Sequence, residues 1–173
     1  MNTGQTMLAV GAMILLSILI LRINNTFLTT STTFMDSKFE IMATSIATSE
    51  IEEISKLAFD QNTVLDSTVV PATSLTDLTI PSALGTDSGE NPNDPKTFND
   101  IDDYNGDTTT INADSTMPSA VFKVRCVVNY VDPNTPDVVS TTRTWNKKIT
   151  VYVTSVSMPD TVRLSTIYSY WYF

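Results

Sequence analysis

The 173-residue chain has no histidine and one cysteine, Cys126. These two absences remove a large part of enzyme chemistry. No disulfide can close within the chain, and no Cys/His zinc site can be assembled. Neither a Ser-His-Asp nor a Cys-His nucleophile can be built, and a CxxCH haem attachment is excluded. Glycine is scarce too. The five glycines are scattered, and none belongs to a phosphate-cradling GxGxxG or GxxxxGK loop. Basic residues are few: ten Lys and Arg stand against nineteen Asp and Glu, for a net charge of −9. Such a chain repels nucleic acid. The composition predicts that the protein is not an enzyme, has no nucleic-acid partner and carries no cofactor, with calcium the one candidate ion.

Glycine and proline are also missing in one long block. After Gly11 neither residue occurs until Pro71. The block begins with the run Met7 to Leu21, which has no charge and one polar residue, Ser17. At about 1.5 Å per residue this run spans about 22 Å, short of a bilayer core of about 30 Å. With its flanks Gln5–Thr6 and Arg22–Ile23 it reaches, and Arg22 can snorkel to the interface. A secretory signal would place Lys or Arg before the run and a small-x-small site after it. The leader MNTG has no basic side chain, and LRINNTF follows the run. The segment is therefore expected to persist as residues 5–23 of the working protein.

Beyond it, apolar positions continue at steps of mostly three and four: Leu16, Ile20, Ile23, Phe27, Phe34, Met35, Phe39, Met42, Ile46, Ile51, Ile54 and Leu57. This rhythm predicts one amphipathic helix to about residue 58, near 80 Å long. Thr and Ser fill much of the rest and are mediocre helix formers, so packing must support the helix.

Residues 59–119 change character. Asp, Asn, Thr, Ser and Pro dominate, which predicts a long acidic surface connection. Residues 61–119 carry ten acids and one base, Lys96, whereas 120–173 carry six bases and three acids. Strand patterns begin at residue 120. In AVFKVRCVVNYV, Phe122, Val124, Cys126, Val128 and Tyr130 alternate with polar residues. In TRTWNKKITVYVTS, Trp145, Ile149, Val151 and Val153 do the same. TVRLSTIYSYWYF reads as a third strand that ends in aromatics. VDPNTPD and VSMPD read as turns between them, giving an antiparallel meander over 120–173. Cys126 reads as a small buried hydrophobe. The expected fold class is α+β: a long N-terminal helix, its second half packed on an antiparallel β-sheet head.

With these elements in order, the chain resembles the type IV pilin-like family. Three stretches carry the likeness beyond the general plan: FNDIDDYNG (98–106), KKITVYVTS (147–155) and DTVRLSTIYSYW (160–171). They resemble the heads of minor pilins, including those of mannose-sensitive hemagglutinin pili. The N-terminus departs from the family. If a leader were cut after Gly4, the mature chain would begin at Gln5, and the usual glutamate position would hold Ala9.

The resemblance implies a structural subunit of an extracellular, fimbrium-like filament. The subunit would wait in the inner membrane, be drawn out by inner-membrane assembly machinery, and join a helical homo-polymer at the cell surface. Its filament core would be Met7, Leu8, Val10, Met13, Ile14, Leu15, Leu16, Ile18, Leu19, Ile20, Leu21, Ile23 and Phe27. Two other readings stay open: a monomeric membrane-anchored binding or cell-adhesion domain on a helical stalk, and a minor pseudopilin of a secretion or uptake machine. Lys147 and Lys148 are candidates for charge contacts with the acidic loop of a neighbouring subunit. Within that loop, Asp100, Asp102, Asp103, Asn105 and Asp107 place hard oxygen ligands at a density that suits calcium. The spacing is not that of an EF-hand, because Asn105-Gly106 in register would put Ile101 at the first ligand. The competing reading is a solvated turn whose side chains cap backbone amides.

Overall fold

The computed structural model describes residues 2–64, 72–112 and 120–170. The aromatic end of the expected third strand, residues 171–173, lies outside the described residues. The architecture is α+β with a pilin-like layout: one long N-terminal helix, α1 (Thr3–Ile54), and a five-stranded antiparallel sheet. The chain divides into two compact units, residues 1–39 and 40–173.

The first unit is helix, and it is long and apolar enough to cross a membrane. In its Thr-rich turns the hydroxyls are satisfied within the helix, bonding back to carbonyls one turn earlier. Thr26 donates to Arg22 O at 2.9 Å, Thr29 to Asn25 O at 2.8 Å, and Thr33 to Thr29 O at 2.9 Å. Ser17 does the same with Met13 O. Each such bond satisfies a polar group without water, so these turns suit an apolar environment.

The second unit begins with the last turns of α1. Its buried stripe runs through Ala43, Ala47 and Ile54, all fully inaccessible, with Met42, Ile46 and Ile51 half-buried beside them. Helical periodicity finds Ile54 and the half-buried Met42, Ile46 and Ile51 but passes over Ala43 and Ala47, which are as fully buried as Ile54. The helix stops at Ile54, a turn before the expected residue 58, and the chain continues in tightened turns that bond Leu57 N–H to Ile54 O.

The sheet comprises β1 (Thr108–Ile111), β2 (Phe122–Asp132), β3 (Thr135–Val139), β4 (Asn146–Ser155) and β5 (Val162–Ser169). Its order is β1-β2-β4-β5, with β3 folded back on the end of β2. The three expected strands are β2, β4 and β5. Two further strands were hidden. Thr108–Ile111 falls within the expected acidic connection, yet its residues are β-branched and pair with Phe122–Arg125. Part of the VDPNTPD turn becomes β3.

Strand alternation holds closely. Phe122, Val124, Cys126, Val128 and Tyr130 face inward on β2, and Lys147, Ile149, Val151 and Val153 on β4. The register sets Tyr130 opposite Lys147, Val128 opposite Ile149, and Cys126 opposite Val151. Gly106, at φ 93°, makes the turn into β1, a conformation open to glycine and costly for other residues.

Candidate functional site: an apolar helix surface and a buried charge cluster

Two features stand out, one in each unit. In the first unit, the thirteen expected filament-core residues, from Met7 to Phe27, are each 50–79% exposed. Gly4 and Gln5 lie exposed in the first turn of the helix. Within the first unit, the described residues from Thr3 on are all helix, so nothing there packs over this surface. A soluble monomer does not display so continuous an apolar surface, so lipid or other protein must cover it.

In the second unit, a charge cluster ties the acidic connection to the sheet. Lys147 is fully buried. By strand alternation it shares a face with Ile149, Val151 and Val153, and its stem passes along that face. Its ammonium donates to Asp60 Oδ2 at 2.9 Å, to Phe59 O at 2.7 Å, and to Asp102 Oδ1. The rings of Phe59 and Tyr130 lie 4.5 and 5.0 Å from Nζ, within cation–π range. Asp60, also fully buried, collects more donors: Thr79 N–H at 2.9 Å, Thr79 Oγ1 at 2.9 Å and Tyr130 OH at 3.1 Å. The Tyr130 hydroxyl lies 2.8 Å from Thr79 O, its second partner. One lysine thus joins β4, the segment after α1 and the acidic loop.

The same loop is held from another side. Ala58 pairs with it as a short parallel bridge: Ala58 N–H reaches Asn99 O, and Ile101 N–H reaches Ala58 O at 3.0 Å. Asn105 bonds Leu84 O through Nδ2 and accepts from Val128 N–H on β2. Phe98 and Tyr104 pack edge to face, 4.9 Å apart, with both rings buried.

Acids outnumber bases here, and their protonation shows it. Burial pushes Asp60 up, but the Lys147 charge and the bonds from Lys147 and Thr79 outweigh it, so its carboxyl sits below the usual range. Burial raises Asp102 to about 6, with Lys147 opposing. Burial, then the charges of Asp102 and Asp103, raise Asp100 to about 8. Asp103 rises to about 7 through burial and a hydrogen bond with Glu90. Each step has the same cause: a carboxylate withdrawn from water without enough positive charge beside it.

The five expected calcium ligands are used separately. Asp100 Oδ1 accepts the N–H groups of Asp102 and Asp103. Asp102 holds Lys147. Asp103 Oδ2 accepts from Asn99 and Asp100 N–H. Asn105 bridges two strands of chain, and Asp107 accepts from Thr109 Oγ1. Of these five, Asp103 alone belongs to a converging carboxylate group, with Asp87 and Glu90. Asp60, Asp87 and Glu90 were missed by the sequence reading.

The two lysines of the expected intersubunit contact part company. Lys147 is sealed inside the head, engaged with Asp60 and Asp102, and presents no charge to a neighbour. Lys148 points outward to Asp137 Oδ1 at 2.8 Å, and that partner is 93% exposed. The alternation that placed Ile149 inside also placed Lys147 inside; its charge masked that signal.

Comparison of the chain with known protein families, with curated proteins and with solved structures returns no match.

Proposed function

We propose that this protein is a structural subunit of a type IV pilus-like filament and polymerises through its N-terminal helix. The carrying observation is the exposed apolar surface from Met7 to Phe27 on a helix that ends in a compact α+β head. Before assembly the helix sits in the inner membrane. Assembly machinery then moves it into a bundle of like helices that extends from the cell surface.

Each large side chain buried in that bundle is worth about 1.5–3 kcal/mol relative to water. Lipid already covers the same surface, so the transfer itself gains little from hydrophobicity. It relies on side-chain packing and outside work. The back-bonded threonines from Thr26 to Thr33 suit the apolar core, since their hydroxyls need no water. The absent glutamate at position 9 removes a buried charge that would otherwise need a partner. The role is structural, and no bond is made or broken in assembly.

Engineered cysteines test this directly, because Cys126 is buried and leaves little background. Ile14→Cys in the full chain, expressed with its native assembly machinery and oxidised in cells, is expected to give disulfide-linked dimers. A strictly monomeric product would favour the second reading, an anchored binding domain on a stalk, which the membrane-spanning length of α1 supports.

A further inference from the structure

We propose that Lys147 and Asp102 condense into an isopeptide bond, a covalent cross-link between β4 and the acidic connection, with Asp60 moving the protons. The bond lies within the head and does not depend on the filament reading. Nucleophile, electrophile and base are already in contact. Lys147 Nζ touches Asp102 Oδ1, next to the carboxyl carbon, and lies 2.9 Å from Asp60 Oδ2. Water is shut out: Lys147 and Asp60 are 0% exposed and Asp102 1%. Reactants fixed in this way reach effective molarities of about 10⁵–10⁸ M when their alignment is productive.

The two carboxyl groups differ, and the difference assigns their roles. Asp60 accepts from Thr79 N–H, Thr79 Oγ1 and Tyr130 OH besides the lysine, bonds that hold it as an anion. Among the described residues, Asp102 has Lys147 as its one side-chain partner, and its Oδ2 is buried with none. Burial raises Asp102 to about 6; Lys147 opposes that shift, and the charges of Asp60 and Asp87 add to it. Of the two, Asp102 is thus the one that takes a proton, and a neutral carboxyl is the better electrophile. The Phe59 and Tyr130 rings, 4.5 and 5.0 Å from Nζ, wall the pocket. Against such a wall, moving one proton from the ammonium to Asp60 replaces two buried charges by neutral groups.

The condensation then balances. Asp60 Oδ2 takes a proton from the ammonium, and the freed lone pair forms the C–N bond at Asp102 Cγ. The tetrahedral carbon expels one oxygen: its C–O bond breaks, and the departing hydroxyl leaves as water with the proton Asp60 held. Asp60 then accepts the surplus proton from nitrogen and releases it to solvent. One ammonium and one carboxyl give one amide, one water and one proton, with no oxidant, reductant or further reactant. The product replaces a buried ion pair by a neutral amide, which removes the desolvation penalty of two charges. It also staples residues 45 apart in a chain whose single cysteine cannot form an internal disulfide.

The test uses the full chain in detergent, purified at pH 8, where Asp102 is a carboxylate, and then held overnight at pH 6. The ionic form described above is the starting state, and trypsin releases its residues 97–123 and 144–147 separately. The linked form should leave 97–123 joined to 144–148, lighter by one water than the two peptides summed. Its fraction should rise at pH 6 at a rate independent of protein concentration, and fragmentation should place the bond on Asp102. Asp102→Ala keeps the Lys147–Asp60 pair and should give no linked peptide. Asp60→Asn should slow linkage by about 100-fold or more, in a head that near-ultraviolet circular dichroism shows to be folded. Absence of the linked peptide from the wild-type chain at both pH values would overturn the bond, as would its placement on another aspartate or its persistence in Asp102→Ala. Unchanged linkage in Asp60→Asn would overturn the role given to Asp60.

Discussion

Replacing Lys147 with methionine tests whether the buried ammonium holds the acidic connection to the sheet. Methionine keeps most of the apolar stem and deletes the charge. The two carboxylates it leaves behind differ. Asp60 retains Thr79 N–H, Thr79 Oγ1 and Tyr130 OH. Asp102 retains nothing at Oδ1, and its Oδ2 is already without a partner. Removing one member of a buried pair costs about 3–5 kcal/mol. Asp102 can escape by taking a proton, and because its carboxyl already titrates at about 6 in the folded head, that costs only about 1.4 kcal/mol at pH 7 and almost nothing at pH 5. With this escape open, and with the Asp60 and Phe59 contacts of the ammonium also lost, the decrease should be about 1.5–3 kcal/mol at pH 7 and smaller at pH 5.

The assay is thermal unfolding of the detergent-solubilised full chain, followed by near-ultraviolet circular dichroism. At about 2–4 °C per kcal/mol for a chain of this size, Tm should fall by about 3–12 °C at pH 7. Lys147→Met/Asp102→Asn should recover at least half of the drop, because the orphaned charge is gone. A Lys147→Met loss under about 1 kcal/mol at pH 7, or one that does not shrink on acidification, would refute the reasoning from orphaned charge.

Other expectations are narrower. Asp100, Asp103 and Asp102 titrate near 8, 7 and 6 in the folded head, above their unfolded values, so their contribution is lost as pH rises through that range. In calcium-free buffer Tm should fall from pH 5.5 to 8.5, and Asp100→Asn should flatten the upper part; a rising Tm would contradict this. Burial and the nearby Glu50 and Asp107 charges push the Cys126 thiol up, so iodoacetamide should modify it only after denaturation. Gly106→Ala forces a side chain into φ 93° and should lower stability by about 1–3 kcal/mol, read as a lower Tm. Tyr130→Phe removes the single hydroxyl proton that Asp60 Oδ2 and Thr79 O compete for, leaves one of them short of a donor, and should cost about 1–3 kcal/mol in the same assay.

The parts of this fold that were legible in the sequence have strict periodicity. Met7–Leu21 and the absence of glycine and proline to Pro71 announced the helix. Alternation from Phe122 to Tyr130 and from Ile149 to Val153 announced two inner strands with their faces correct. Three kinds of residue escaped. Ala43 and Ala47 carry little hydrophobic weight, yet small side chains suit the most crowded positions of a helix face. Thr108–Ile111 reads as polar loop until a partner strand is available. Lys147 obeys the alternation but carries a charge, and only the fold shows that Asp60, 87 residues earlier in the chain, compensates it. The carboxylate group failed for a related reason. Density along the chain pointed to residues 100–107, whereas convergence in space joins Asp103 to Asp87 and Glu90, which sit in a separate turn.

The central claim is that the exposed helix surface is made to be covered by copies of itself. Negative-stain microscopy of the fraction sheared from cells that express the full chain with its assembly machinery tests this most directly, with mass spectrometry identifying the protein in that fraction. The account predicts thin, regular filaments that contain this chain, and their loss when Leu16 and Ile20 are both replaced by arginine. Protein found wholly in the membrane fraction, with no filaments in the sheared one, would contradict it.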